Sequence, residues 1–165
     1  SFHFWKMFMK ILFLCTHNAC RSILAEAVAR RLGGERWQVA SAGSQPTGHV
    51  HPLTLRYLAE AGYEVADLKS KSWDDLKGFQ PDVVITVCDQ AAGESCPVWL
   101  GKAVRVHWGL VDPSFVSGCE EAVALAFRNT IALLERRLSS FMENDLDLVS
   151  PPDLQRILAR LGAEK

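Results

Sequence analysis

Two rhythms of apolar and polar positions run through this chain. Met9–Leu14 is a short, nearly continuous apolar run, as in a buried strand. From Ser22 to Leu32 the apolar positions recur every three or four residues, a helical period closed by Gly33-Gly34. Trp37–Ala42 alternates as a strand and stops at Gly43, and Ser44–Val50 reads as a loop. Pro52–Ala61 reads as a helix, with proline in its first turn and Gly62 at its end. Ser72–Leu76 suggests a short capped turn. The β-branched run Val83–Val87 is the clearest strand in the chain. Asp89–Leu100 then reads as a loop, Ala103–His107 as a fourth strand and Gly109–Gly118 as another loop. Glu120–Met142 is a long amphipathic helix. Ser150-Pro151-Pro152-Asp153 interrupts the pattern before a short final helix, Leu154–Leu161.

Strands that alternate with helices imply βαβ units. The expected fold is therefore a single α/β domain, a four-stranded parallel sheet with helices on both faces. The domain is expected over residues 7–143, with residues 144–165 a C-terminal extension carrying a short helix. Ser1 to about Lys6 reads as an artificial remnant or a short extension, with a natural start at Met7 or Met9. In such sheets ligands bind at the carboxyl ends of the strands. Cys15 follows the first strand and Cys88 the third, so both are expected at that edge.

Composition narrows the function classes. With 18 basic and 19 acidic residues, a net charge of −1 and no basic run, the chain lacks the electrostatic footprint of a nucleic-acid binder. No apolar run approaches the roughly 18 residues of a membrane span, and the N-terminus lacks the pattern of a signal peptide. The five cysteines (Cys15, Cys20, Cys88, Cys96 and Cys119) form no dense framework. Together these features point to the reducing cytoplasm, where cysteines are more often structural, catalytic or metal-binding.

The segment joining the first strand to the first helix reads Cys15-Thr16-His17-Asn18-Ala19-Cys20-Arg21-Ser22. A tight strand-to-helix turn gathers backbone N–H groups around one concavity, and the helix adds partial positive charge there. Arg21 supplies a cation whose planar fork fits two oxygens of a tetrahedral oxyanion. A cysteine at the base of that cradle is favoured as thiolate, since such sites lower a thiol's usual pKa of about 8.5. Cys15 is thus a candidate nucleophile. Ser22 is placed to cap the helix or to donate to the thiolate. The loop has no glycine, and Asn18 is the residue best able to take left-handed backbone.

These residues resemble the low-molecular-weight protein tyrosine phosphatase fold family, and more closely the arsenate reductases that share its fold. The resemblance rests on CTHNACRS, on Cys88 and Cys96 within CDQAAGESCP, on His107-Trp108-Gly109 and on Asp112-Pro113, and runs from about Met9 to Arg137. It implies that Thr16, His17, Asn18, Ala19, Cys20, Arg21 and Ser22 bind the oxyanion, that Cys15 attacks arsenate and that Asp112 acts as general acid. It further implies that Cys88 attacks the Cys15–arseno adduct, and that Cys96 moves the disulfide to Cys88–Cys96. It also implies that no cofactor is bound and that electrons come from thioredoxin or from glutathione and glutaredoxin, acting as transient partners. Related enzymes can hold a potassium ion beside the loop. Asn18, Glu26, Ser41 and Asp74 fall at plausible positions for it, with Lys71 near enough for its ammonium to replace the ion, and no metal is assigned.

The remaining residues carry blander readings. Cys20 lies in the loop but is not placed for attack, and Cys119 opens the last long helix as a non-catalytic thiol. His49, His51 and His107 form no triad, and no C-x2-C pair suggests zinc. Trp73, Trp99 and Trp108 read as packing. Two rival functions stand beside the reductase: a phosphotyrosine phosphatase, and a non-catalytic oxyanion-binding or redox-sensing module.

Overall fold

In a computed structural model of the chain, residues 8–94 and 97–164 are described. Four strands, β1 (Met9–Leu14), β2 (Trp37–Ala42), β3 (Val83–Thr86) and β4 (Val104–His107), form one parallel sheet in the order β2-β1-β3-β4. Five α-helices join and follow them: α1 (Arg21–Gly33), α2 (Pro52–Glu60), α3 (Asp89–Ala92), α4 (Glu120–Met142) and α5 (Pro151–Ala163).

Alternation along the strands divides the core into two layers. Ile11, Phe13, Val39, Val83, Ile85 and Val106 point to one side, where α1, α4 and α5 cover them with a large apolar cluster. Leu12, Leu14, Ala40, Ala42 and Val84 point to the other. That side is covered by two 3-10 turns, through Trp73 and Leu76 of one and Trp99 and Leu100 of the other. The parallel register sets Leu14 beside both Ala42 and Thr86, and Thr86 beside His107. All four strands therefore end at one edge, and the residues that follow them meet there.

Two stretches differ from what periodicity suggests. The segment after Cys88 is not all loop: Asp89–Ala92 makes one helical turn and residues 98–100 a 3-10 turn. A four-residue turn is too short to display a helical period. The last helix begins at Pro151, three residues earlier than its apolar pattern implies. Ser150 caps it by accepting from Asp153 N at 3.3 Å, and the two prolines occupy the first helical positions, where a missing N–H costs nothing.

Helix α5 is bound into the first layer. Leu154, Leu158 and Leu161 are buried in it. The fully buried Trp108 donates its indole N–H to Leu158 O at 2.8 Å. From α4, the buried Arg137 donates Nη2 to Gly162 O at 3.0 Å and Glu164 O at 2.8 Å. A cation there satisfies carbonyls that the end of α5 leaves without helical partners. Among the described residues no helix is long and apolar enough to cross a membrane.

This packing gives α5 a measurable share of the stability. Leu158→Ala should lower the free energy of unfolding by about 3 kcal/mol in a denaturant titration, the range for a buried leucine. A change within about 0.5 kcal/mol would mean that α5 is a surface appendage.

Candidate active site

Strand β1 delivers Cys15 to the sheet edge, where it is 5% exposed. The loop to α1 then folds around Asn18, whose φ is +47°, the left-handed conformation expected of it. Three loop carbonyls are turned outward. Thr16 O accepts from Gln45 N at 2.9 Å, His17 O from Thr47 N at 3.2 Å and Ala19 O from His51 N at 3.0 Å. In a trans peptide the next residue's N–H points opposite the carbonyl. The N–H groups of His17, Asn18 and Cys20 are therefore turned inward, toward the mouth of α1, and this is the cradle an oxyanion needs. Gly43, just after β2, permits the close approach. A Cβ there would fall inside contact distance of the carbonyl oxygens of Cys15 and Thr16.

Beneath the loop runs a buried polar chain. Asn18 Nδ2 donates to Ser22 Oγ at 2.8 Å and to Ser41 Oγ at 2.9 Å. Ser22 Oγ lies 2.8 Å from Cys15 Sγ. The Ser22 hydroxyl, which also accepts from Asn18, is thus the polar partner of the sulfur rather than a cap of the helix. The helix N-cap is Cys20, which makes no side-chain cap. Ser41 in turn donates to the buried Glu26 carboxylate at 2.5 Å.

Glu26 is balanced by Arg30 at 2.5 Å and by the Lys71 ammonium at 3.7 Å, which is also 3.5 Å from Ser41 Oγ. Burial holds Lys71 below its usual pKa, with Glu26 opposing and Arg30 reinforcing the shift. Of the residues considered for a cation, Glu26 and Ser41 face the lysine ammonium, Asn18 accepts from the Lys71 backbone N–H at 2.9 Å, and Asp74 is exposed on the 3-10 turn at 73–76.

Arg21, Cys88 and Asp112 reach one cavity, of about 420 Å³, which Cys15 and Cys20 also line. Arg21 donates Nη1 to Leu110 O at 3.1 Å, and its Nη2 lies 3.6 Å from Asp112 Oδ2. The other Asp112 oxygen accepts from Ser114 N at 2.9 Å and Ser114 Oγ at 2.6 Å. Cys88 is buried at the start of α3, where its sulfur accepts from Ala91 N at 3.4 Å. It lies 3.7 Å from Thr16 Oγ1. Ala19 also lines the cavity, as does His17, whose side chain is largely exposed.

Cys20 is buried, and burial, offset in part by Thr54 and reinforced by Asp112, pushes its thiol up to about 12. It is a neutral thiol at physiological pH. Cys15, Cys20, Cys88 and Cys119 are all free, and Cys119 is exposed away from the site. Cys96 lies outside the described residues.

Three contacts were not visible from spacing. Glu94 accepts from Ser44 and Thr16, and Asp89 pairs with His107 Nε2 at 2.9 Å. The remaining His107 nitrogen, Nδ1, is 2.9 Å from Thr86 Oγ1.

A cysteine at the base of an amide-lined strand-to-helix loop, with arginine in the helix's first turn, defines a phosphatase-type oxyanion site on a doubly wound sheet. Residues 10–149 match the sequence model of the low molecular weight phosphotyrosine protein phosphatase family, and the chain belongs to that family. Its relatives include the arsenate reductases of Halalkalibacterium halodurans and Bacillus subtilis. Each is 35% identical over 133 residues, 81% of this chain and 94% of the relative. Among solved structures, an arsenate reductase in the phosphate-binding state superposes with a TM-score of 0.68 at 26% identity, covering 82% of this chain and 97% of that one. The thioredoxin-dependent arsenate reductase of Corynebacterium glutamicum superposes at 0.58 with 30% identity, covering 80% of this chain and 62% of that protein.

The Ser22 contact at Cys15 and the burial of Cys20 predict different reactivities for the two thiols. Ser22→Ala should slow iodoacetamide alkylation of Cys15 at pH 7 roughly tenfold, because a hydrogen bond to a charged group is worth about 1.5 kcal/mol or more. In the unsubstituted protein Cys20 should remain unlabelled at pH 9, where a thiol titrating near 12 is only about one part in a thousand thiolate. Equal labelling of both cysteines would contradict this assignment.

Proposed function

We propose that the protein reduces arsenate to arsenite, with Cys15 as nucleophile and Cys88 as resolving cysteine. One observation carries the reading: the chain brings a second buried cysteine to the nucleophile's own loop, with Cys88 Sγ 3.7 Å from the hydroxyl of Thr16, the residue after Cys15. A phosphatase needs a nucleophile, a cradle and an acid, but no second thiol. Arsenate reduction needs two electrons, which two thiols supply in becoming a disulfide.

In the proposed sequence the inward N–H groups and Arg21 hold arsenate. The Cys15 thiolate attacks arsenic, and one oxygen leaves as water with a proton from Asp112. Asp112 delivers that proton only after it leaves Arg21, and an arriving dianion draws the guanidinium away from it. Cys88, deprotonated, attacks Cys15 Sγ. A sulfur–sulfur bond forms, the arsenic–sulfur bond breaks, and the electron pair passes to arsenic, so As(V) becomes As(III). Cys96 then attacks Cys88, releasing Cys15 and leaving a Cys88–Cys96 disulfide.

An external thiol system in the cytoplasm reduces that disulfide, and no bound cofactor is required. Likeness to the Corynebacterium glutamicum enzyme, which is thioredoxin-dependent, favours thioredoxin over glutathione and glutaredoxin. The short turn around Asp89–Ala92, followed by Gly93, is a weakly held unit that can unfold to let the second pair meet.

Arsenite formation from arsenate tests the sequence. Supplied separately with thioredoxin and its reductase, or with glutathione and glutaredoxin, the unsubstituted protein should turn over in one of the two assays. Cys88→Ser and Cys96→Ser should each abolish multiple turnover, while Cys96→Ser still releases up to one arsenite per chain. No arsenite in either assay, together with aryl-phosphate hydrolysis indifferent to both substitutions, would assign the site to a phosphatase instead.

A further inference from the structure

Glu94 belongs to neither the oxyanion loop nor the cysteine relay, yet its carboxylate joins three segments. Oε2 accepts from Ser44 Oγ at 2.5 Å, just beyond β2, and Oε1 accepts from Thr16 Oγ1 at 3.4 Å, in the oxyanion loop. Glu94 itself ends the turn that begins at Cys88, where its N–H donates to Ala91 O at 3.2 Å. We propose that Glu94 is the positioning residue for Cys88, a latch that closes the Cys88–Glu94 segment onto the oxyanion loop and sets the sulfur against it. This rests on the reading of Cys88 as the resolving thiol.

The hydroxyl of Thr16 has a single proton. An ionised carboxylate can only accept, so the proton shared with Glu94 is the hydroxyl's own. The lone pairs left on Thr16 Oγ1 then face Cys88 Sγ at 3.7 Å and accept from its S–H. The carboxylate thereby fixes the hydroxyl, and the hydroxyl fixes the sulfur. Thr16 and Cys88 are 2% and 3% exposed, so neither has water to replace this partner.

Among the described residues no other contact closes the segment as firmly. One helical turn does not hold itself in water. The ion pair at its start, Asp89 with His107, puts a carboxylate that is 97% exposed against a half-exposed imidazole, and such surface pairs contribute little. Backbone bonds tie Val87 to Leu14 at 2.9 Å, but they hold the strand before the turn. The grip at the far end comes from Glu94, whose 2.5 Å bond to Ser44 is charge-assisted and partly buried.

The latch predicts a particular split of effects. Glu94 does not touch the oxyanion, and removing its negative charge cannot weaken anion binding. In Glu94→Ala, single-turnover arsenite release should fall about tenfold while KM for arsenate stays level or falls. Glu94→Gln, which keeps an acceptor oxygen for Thr16, should recover most of the rate.

A second readout needs no arsenate. By mass spectrometry of iodoacetamide-treated full-length protein, Cys88 should label several-fold faster in Glu94→Ala than in the unsubstituted protein, with Cys15 labelling unchanged. Unchanged Cys88 labelling would overturn the proposal, as would equal acceleration at both cysteines, which marks general loosening. If the unsubstituted protein formed no arsenite, the reductase reading would fail, and the labelling would still decide whether Glu94 closes the segment over Cys88.

Discussion

Everything at the site hangs from the side-chain amide of Asn18. Its oxygen accepts from Lys71 N at 2.9 Å, while its nitrogen donates to Ser22 and Ser41. One fully buried group therefore ties the oxyanion loop to α1, to β2 and to the segment leading into the 73–76 turn. The same residue takes the left-handed backbone that bends the loop. That conformation costs an ordinary residue of order 1 kcal/mol, and three hydrogen bonds of about 1 kcal/mol each, two of them buried, outweigh it. Because the loop is held from beneath, its N–H groups remain directed inward and Ser22 remains directed at Cys15.

The electrostatics beneath the loop follow from the same arrangement. A buried carboxylate such as Glu26 is costly unless paired, and Arg30 and Lys71 pair it from two sides. The three groups carry one net positive charge when Lys71 is protonated. That charge lies behind Asn18 and adds to the field of α1's N-terminus on the side where an oxyanion and a thiolate are both favoured. Lys71 is held below its ordinary pKa mainly by burial, so raising the pH removes this positive charge earlier than for an exposed lysine. The sign is fixed: the site loses anion-favouring charge as pH rises through the Lys71 titration.

The loop was legible in the sequence because its chemistry is local. Eight consecutive residues between a strand and a helix name the candidate nucleophile, the candidate cation and the residue that must bend, and Asn18 does bend there. Cys88 was placed at the same edge by a topological rule, since parallel strands end together. Glu94 was not legible. Its partners lie 50 and 78 residues away in sequence, and only the strand order β2-β1-β3-β4, with the bend at Gly93, brings them to it. The His107–Asp89 pair escaped for the same reason, because adjacency of β3 and β4 sets Thr86 against His107. Pro151 and Pro152 misplaced the start of α5, since a breaker inside a helix is a good first residue after a serine cap.

Family membership alone leaves the chemistry at this loop open, because transfer of a phosphoryl group and reduction of an oxyanion begin with the same attack. What separates them is the fate of the adduct. Water resolves a phosphoryl–cysteine by attacking phosphorus, and sulfur keeps its electrons. A thiol resolves an arseno–cysteine by attacking sulfur, and arsenic takes the pair. The second route requires a nucleophile beside Cys15 itself rather than a water above the oxyanion. Cys88 Sγ lies 3.7 Å from the hydroxyl of Thr16, whereas Asp112 and Arg21 pair with each other at 3.6 Å. A buried thiol against the residue that follows Cys15 is what the proposed sulfur-directed attack calls for, and a water-directed one has no use for it.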